Sequence, residues 1–343
     1  MVAENCPNLY VAQATNMLAI VDFTAGRTSS GWLKIGLAVR IAQDLQLMHE
    51  PKSMLGLTAS EEEERRRTFW SIYLLDKLVS CGQGRPPAIA DEDCHVQLPC
   101  TQDAFNSGII PKTADTLHAL LGWNTTPDGT SVVGSAFRLV VLSGSALGRC
   151  ARYGLHQRDV EDALPWDSKS EFASHGSTLL LVENHLQAEM QPVDSLADRH
   201  RRADGTVDHD VTSHIVFART LYHLAYCLLN HSFLLRLRVQ KLKCRIPPNF
   251  LTQASEVCLK HARELIELLR SATAAGLHVQ SSFYAYSIAV AGSLLSLGAN
   301  EARLAHLEPD GKIVAAYQLS LSMLQKIGQI WEHASKMVSF VEP

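Results

Sequence analysis

Paired cysteines are missing from this 343-residue sequence. Its eight cysteines, Cys6, Cys81, Cys94, Cys100, Cys150, Cys227, Cys244 and Cys258, stand nowhere in a C-x-x-C arrangement. Structural zinc sites draw on cysteines a few residues apart, so none is written here. Scattered in this way, the thiols are expected reduced and mostly buried, as in an intracellular protein. A surplus of one charge is missing too. Lys plus Arg is 31, Asp plus Glu is 35 and the net charge is -4, which excludes a chain whose whole surface attracts nucleic acid. The N-terminus lacks the basic start of a secretory signal. Long apolar runs are scarce. Between Arg270 and Glu301 there is no Asp, Glu, Lys or Arg, but Ser287, Ser293 and Ser296 dilute the apolar part, Phe283–Ala299. No basic flank orients it, so a buried core helix of a soluble protein is expected rather than a membrane span.

Catalytic motifs are also wanting. There is no G-x-S-x-G, H-E-x-x-H, G-x-x-x-x-G-K-[ST] or G-x-G-x-x-G. The glycines at Gly82 and Gly84 follow a helix instead of opening one, which suits a helix-ending turn better than a phosphate cradle. Asp91-Glu92-Asp93 comes nearest to an aspartate-rich metal motif, but it falls in a proline-rich irregular zone. The acidic and histidine-rich stretch from Asp198 to His214 reads as a solvated loop, because ligands need a rigid support. His261 and Glu264 have i,i+3 spacing, yet the matching carboxylates of a di-iron bundle are not evident. No enzyme and no cofactor are expected.

What is present is helical. At 46% hydrophobic and 19% charged residues the chain is not disordered, and its apolar residues recur at helical spacing while strand-like alternation is rare. Leu33, Leu37, Ile41 and Leu45 form one stripe, expected to run until Pro51. Thr58 and Glu61 have capping-box spacing. Glu61, Glu62 and Glu63 stand four residues before Arg65, Arg66 and Arg67, the favourable order for ion pairs on a helix. Residues 88–131 look irregular around one short helix near 113–122. Helices are expected over Val132–Arg152 and Glu171–Met190, a loop over Gln191–Asp210, and a long helix from there to Pro247. Further helices fit 249–273, 279–299 and 312–340. No repeat has a fixed period. The fold class is all-α, one large domain over 1–343, with any subdivision near 190–210. Arg236, Arg238, Lys241, Lys243 and Arg245 form one basic run. It can serve phosphate contact or nuclear import, but cations also gather at a helix C-terminus for dipole reasons.

One block carries a resemblance. ERRRTFWSIYLLDK (64–77), followed by SCGQGRPPAIADEDCHVQLP (80–99), resembles the middle homology region of fungal zinc-cluster transcription factors, the fungal-specific transcription factor domain. The matching positions are Arg66, Arg67, Phe69, Trp70, Leu75, Asp76, Gly84, Arg85, Pro86, Ile89, Asp91, Leu98 and Pro99. WLKIGLAVRIAQDLQLM (32–48), ARTLYHLAYCLLNHSFLLR (218–236) and SFYAYSIAVAGSLLS (282–296) resemble the helices around it. The resemblance implies an all-α regulatory, effector-sensing module of a nuclear transcription regulator of metabolic, including secondary-metabolite, genes. The second reading is a stand-alone interaction protein that titrates related factors or coactivators. Family members carry zinc only in an N-terminal six-cysteine cluster that contacts DNA. This chain is expected to begin within the regulatory region, so DNA is reached only through that missing cluster. A small-molecule effector, a coactivator or a homodimer partner are the other partners implied, and no membrane.

The signature residues Arg66, Arg67, Phe69, Trp70, Asp76, Gly84, Arg85 and Pro86 are expected to be structural. Asp76, among apolar neighbours, needs a partner if buried, and Arg85 or Arg66 is expected to supply it. The alternative role of Arg85 is an anionic effector's partner. Phe69, Trp70, Tyr73, Phe283, Tyr284 and Tyr286 are the aromatic stock either for the core or for an effector cavity.

Overall fold

The computed structural model describes residues 8–52, 56–82, 84–111, 116–122, 135–155, 163–242, 245–304 and 306–341. Cys6, Gln83, Lys243, Cys244 and the expected helical residues 113–115 and 132–134 lie outside them. The described residues form α-helices joined by turns and contain no strand, only the isolated bridges Gln97–Thr116 and Arg201–Val207. The all-α class is thereby established.

Three helices make the N-terminal part: α1 (Leu9–Thr24), α2 (Thr28–Asp44) and α3 (Ala59–Val79). α1 and α2 form a hairpin because Gly26 takes a φ of 73°, which a Cβ would strain. In α2 the buried stripe is Ile35, Ala38, Val39 and Ala42, with Gly31 and Ile41. Leu33 and Leu37 instead face outward at 69% and 54% exposure. Of the expected stripe Ile41 is buried, but the face is rotated so that Ile35, Ala38, Val39 and Ala42 take the interior in place of Leu33 and Leu37. The helix also stops at Asp44, before Pro51, where Gln46 turns the chain at a φ of 54°. α3 starts on the expected capping box, with Thr58 N donating to Glu61 Oε2 at 2.7 Å and Glu61 N to Thr58 Oγ1 at 3.3 Å.

The short helices α4 (Gln102–Ser107) and α5 (Leu117–Leu120) interrupt the irregular zone. α6 (Ala136–Leu155) is buried on nearly all sides. Gly144 and Gly148, one turn apart, face α3. A Cβ there would stand 2.8 Å from Leu74 and 2.9 Å from Lys77. α7 (Glu171–Leu186) follows, then α8 (Val193–Arg199), a helix where a loop was expected. Val193, Leu196 and Ala197 bury one small face at i, i+3 and i+4, a signal the polar surroundings hide. α9 (His209–Leu229) and α10 (Ser232–Gln240) replace the single long helix expected there. The break falls at Asn230, whose side-chain amide donates to Tyr226 O at 3.1 Å, with His231 capping α10 in a non-helical conformation.

α6 and α9 lie against each other as the central pair. They come from opposite sides of residues 190–210. α11 (Phe250–Ala274) packs on α9, and α12 (Ser282–Leu304) packs on α9 and α11. α13 (Gly311–Gly328) and α14 (Glu332–Val341) close the other side of α12; the turn at 329–331 divides the one helix expected over 312–340. α12 alone among the described residues is long and apolar enough to cross a membrane. Its Tyr284, Ile288, Ala291, Leu294 and Leu295 are buried against those helices, as expected of a core helix.

Candidate functional site

α3 grips the segment that returns beside it, one side chain per turn. Glu63 is 1% exposed and accepts from Cys100 N at 2.9 Å and Arg67 Nε at 3.0 Å. Arg67 donates onward to Cys100 O at 3.0 Å and lies over the Phe105 ring at 4.4 Å. Trp70 donates its indole N–H to Gln97 O at 2.7 Å. Tyr73 donates to Asp91 Oδ1 at 2.7 Å, and Lys77 to Ile89 O at 2.6 Å. Asp76 accepts from Ala88 N and Ile89 N, each at 3.0 Å. At 3.6 residues per turn positions 63, 67, 70, 73 and 77 share one helical face, with 76 at its edge. Read along it, they meet 100, 97, 91, 89 and 88 in reverse order. Extended chain that can pair with no strand has its amides and carbonyls satisfied by side chains instead.

Asp76 therefore does not pair with an arginine. Arg66 forks onto Glu50, with Nε at 3.0 Å and Nη2 at 2.5 Å, and Glu50 also accepts from Gln97 N at 2.8 Å. Arg85 donates to Thr28 Oγ1 at 3.2 Å and lies 6.0 Å from the Trp32 ring. Both expected partners of Asp76 are engaged elsewhere, because backbone amides reach the carboxylate first. Burial raises the Asp76 carboxyl above its ordinary range despite the lowering by Ala88 and Ile89. Phe69 and Trp70 are fully buried, Gly84 takes a φ of 74° to reverse the chain, and Pro86 is exposed on the exit.

The sequence reading missed the hub of this strap. Asp91 is 5% exposed and receives Tyr73, Ser145 Oγ at 2.7 Å, Arg149 Nε at 2.9 Å and Lys77 Nζ at 2.9 Å. Burial works to raise its pKa, but Lys77 and Arg149, with the Ser145 hydroxyl, outweigh it and hold the carboxyl down to about 2. Lys77 itself is 4% exposed. A lysine in the last turn of a helix gives no sequence signal that it is buried; only the nearby Gly148 makes room for it.

A cavity of about 540 Å³ adjoins the turn that ends the strap. It lies between α1, the end of α3, α12 and α14, and Phe23, Leu78, Phe217, Phe283, Tyr286 and Met337 give it an apolar wall. Its volume falls within the range of small-molecule sites. Tyr286 donates to Cys81 O at 2.8 Å across one end. Arg85 and Lys336 line the cavity, Lys336 being paired with Glu332 at 2.9 Å, and no Asp or Glu stands among its described lining residues. His333 Nε2 meets Ser282 O at 3.2 Å, while His333 Nδ1 is buried without a hydrogen-bond partner among the described residues. Of the six aromatics named above, Phe283 and Tyr286 line this cavity; Phe69, Trp70 and Tyr73 fill the core, and Tyr284 is buried with its ring against Phe217. Burial pushes the Cys81 thiol up to about 12, so it stays protonated.

The other candidate clusters resolve into local pairs. In the histidine-rich stretch, Arg201 pairs with Asp198 at 2.7 Å, Arg202 with Asp208 at 3.3 Å and His200 with Glu189 at 3.3 Å, while Asp208 caps α9. In the basic run, Arg236 approaches Glu301 at 3.6 Å, and Arg238 donates to Tyr153 O with its guanidinium 4.0 Å over the Tyr153 ring.

The described residues thus form a helical frame in which α3 binds its own returning chain, beside an apolar cavity. Residues 3–143 match the family described as the fungal specific transcription factor domain. The chain is 23% identical over 300 residues to the Zn(2)-C6 fungal-type transcription factor FTF1c of Fusarium oxysporum, covering 82% of this chain and 30% of that protein. It is 28% identical over 241 residues to an uncharacterized transcriptional regulatory protein of Schizosaccharomyces pombe, covering 62% of this chain and 33% of the other. Against the pigment biosynthesis transcriptional activator pigB of Monascus ruber it is 34% identical over 110 residues, 29% of this chain and 20% of that one. The chain thus spans about a third or less of these relatives. No solved structure matches it.

Proposed function

We propose that the chain is the regulatory module of a nuclear fungal zinc-cluster-type transcription regulator, and that it senses an effector in the cavity beside Arg85. On this reading residues 1–343 act as one module, without catalysis of their own, and control metabolic, including secondary-metabolite, genes. The names of the relatives support the regulatory role, pigment biosynthesis and ABC-transporter regulation among them. The observation that carries the sensing role is the cavity itself: an apolar volume of about 540 Å³ with Arg85 on its lining, while its other cation, Lys336, is paired with Glu332 at 2.9 Å. That lining suits an apolar molecule with an anionic end. Arg85, at the end of the signature strap, links occupancy of the cavity to the strap.

A thermal-shift panel of aliphatic and aromatic carboxylates tests this. At 100 times its dissociation constant such a ligand stabilises the chain by about 2.7 kcal/mol. Arg85→Ala is expected to weaken the acid about tenfold and to leave its neutral ester unchanged. A wide panel with no saturable shift would make this surface a protein contact and not a receptor.

Direct DNA reading is assigned to a zinc cluster that these residues do not contain. The purified chain is therefore expected to show no sequence-specific duplex binding at physiological salt. Two cations of its basic run are already committed to Glu301 and Tyr153, and what remains gives only weak, salt-labile contact. Nanomolar binding that survives raised salt and rejects scrambled duplex would refute this.

A further inference from the structure

A second cavity, of about 1080 Å³, opens between α8, α9, α11 and α13. On its wall three potential ligands from two helices converge. His223 Nδ1 on α9 stands 3.0 Å from His261 Nδ1 on α11 and 3.6 Å from Glu264 Oε2, which is 3.9 Å from His261 Nδ1. A triangle with those three sides has a circumradius of about 2.1 Å, the length of zinc–nitrogen and zinc–oxygen bonds. One ion can therefore touch all three atoms without moving any of them.

We propose that His223, His261 and Glu264 bind a divalent transition-metal ion of the zinc class, clasping α9 to α11 and leaving its remaining coordination positions toward the cavity. Two imidazoles and one carboxylate are the donor set of catalytic zinc sites, which keep a position open. They are too soft a set for calcium or magnesium, which take oxygen ligands. The rings are held in place. Tyr226 stacks on His261 at 4.0 Å and 8°, and Tyr222 meets both histidines edge-on, 5.1 and 5.7 Å away. Both histidines are buried, and that burial disfavours their charged forms, leaving the neutral imidazoles that metals require. Glu264 sits at the mouth, 38% exposed, where an ion can enter.

The cations nearby do not occupy the point of convergence. Arg219 donates to Gln191 O at 2.9 Å and to Glu189 O at 3.3 Å, away from the pair. Lys260 is 60% exposed and approaches the other carboxylate oxygen, Glu264 Oε1, at 4.0 Å, so Oε2 remains for the ion. The sequence shows the i,i+3 pair His261 and Glu264, but its third member lies 38 residues upstream on another helix.

The test uses the full chain, stripped with chelator and dialysed against Zn²⁺ or Co²⁺. One ion per chain is expected at micromolar affinity or tighter, with the intense visible bands of four- or five-coordinate Co²⁺. Glu264→Gln, at the mouth and not required for packing, is expected to weaken binding at least tenfold and to alter those bands. His223→Asn should abolish them. Absence of stoichiometric binding, or stoichiometric binding that Glu264→Gln and His223→Asn both leave unchanged, overturns the proposal, the latter placing the ion on other histidines.

Discussion

Replacing Asp91 by alanine is expected to cost about 3–5 kcal/mol in denaturant melts of the chain. The carboxylate pairs with both Lys77, at 2.9 Å, and Arg149, at 2.8 Å, in a site that is 5% exposed. Its removal leaves a lysine, itself 4% exposed, with only Ile89 O to receive its protons, and strands the Tyr73 and Ser145 hydroxyls. Lys77→Met in the same background removes the stranded cation and should recover part of the loss. A loss below about 1 kcal/mol for Asp91→Ala would show that the hub does not hold the strap. The pH dependence has a definite sign. The folded-state pKa, about 2, lies below the ordinary 3.8. The contribution is therefore present in full above the ordinary value and is lost as pH falls through about 2. At about 1.4 kcal/mol per unit it amounts to about 2 kcal/mol. In Asp91→Asn that part of the acid-unfolding profile should flatten.

Asp76→Ala should cost about 1–3 kcal/mol for a different reason. No cation is stranded. The Ala88 and Ile89 amides lose their acceptor; Ala88 is exposed to water, whereas the orphaned buried amide of Ile89 costs about 1–3 kcal/mol. Asp76→Asn keeps one acceptor oxygen and should cost less. Burial raises the folded-state pKa of Asp76, so its titration runs opposite to that of Asp91. Its contribution is greatest below the ordinary carboxylate pKa and falls as pH rises through the raised value. Hydrogen exchange at Ile89 gives a local readout: in Asp76→Ala that amide should lose its protection before the core of α6 does. An unchanged exchange rate would mean that the amide finds another acceptor.

The strap was partly legible in the sequence. The capping box, the arginine pair, the aromatic pair and Asp76 stand at spacings that place them on one helix. That this helix is structural could be argued from them. What each grips was not legible. The sequence points Asp76 toward arginines because opposite charges are the partners a sequence advertises. Its actual partners are amides, which every residue possesses and no sequence distinguishes. Asp91 stands both among the family-matched positions and within the acidic run Asp91-Glu92-Asp93, and neither placement marks it as a buried hub. Only its insertion between α3 and α6 separates it from its exposed neighbours Glu92 and Asp93. The α2 stripe is only partly met for a related reason: Leu33 and Leu37 suggest a buried face, but the interior takes Ile35, Ala38, Val39, Ile41 and Ala42, and which apolar face turns inward depends on the neighbouring helices.

The sequence alone determined the all-α class, the absence of paired cysteines, the family signature and the start of α3. These depend on spacing within a few residues, and local spacing is what helix geometry converts directly into structure. Tertiary structure alone decided the cavity between α1, α3, α12 and α14, the Asp91–Lys77–Arg149 hub, and the meeting of His223 with His261 and Glu264. Each joins residues tens to hundreds of positions apart. Their proximity follows from how small residues such as Gly144 and Gly148 let helices approach, a property of pairs of surfaces that no single segment encodes.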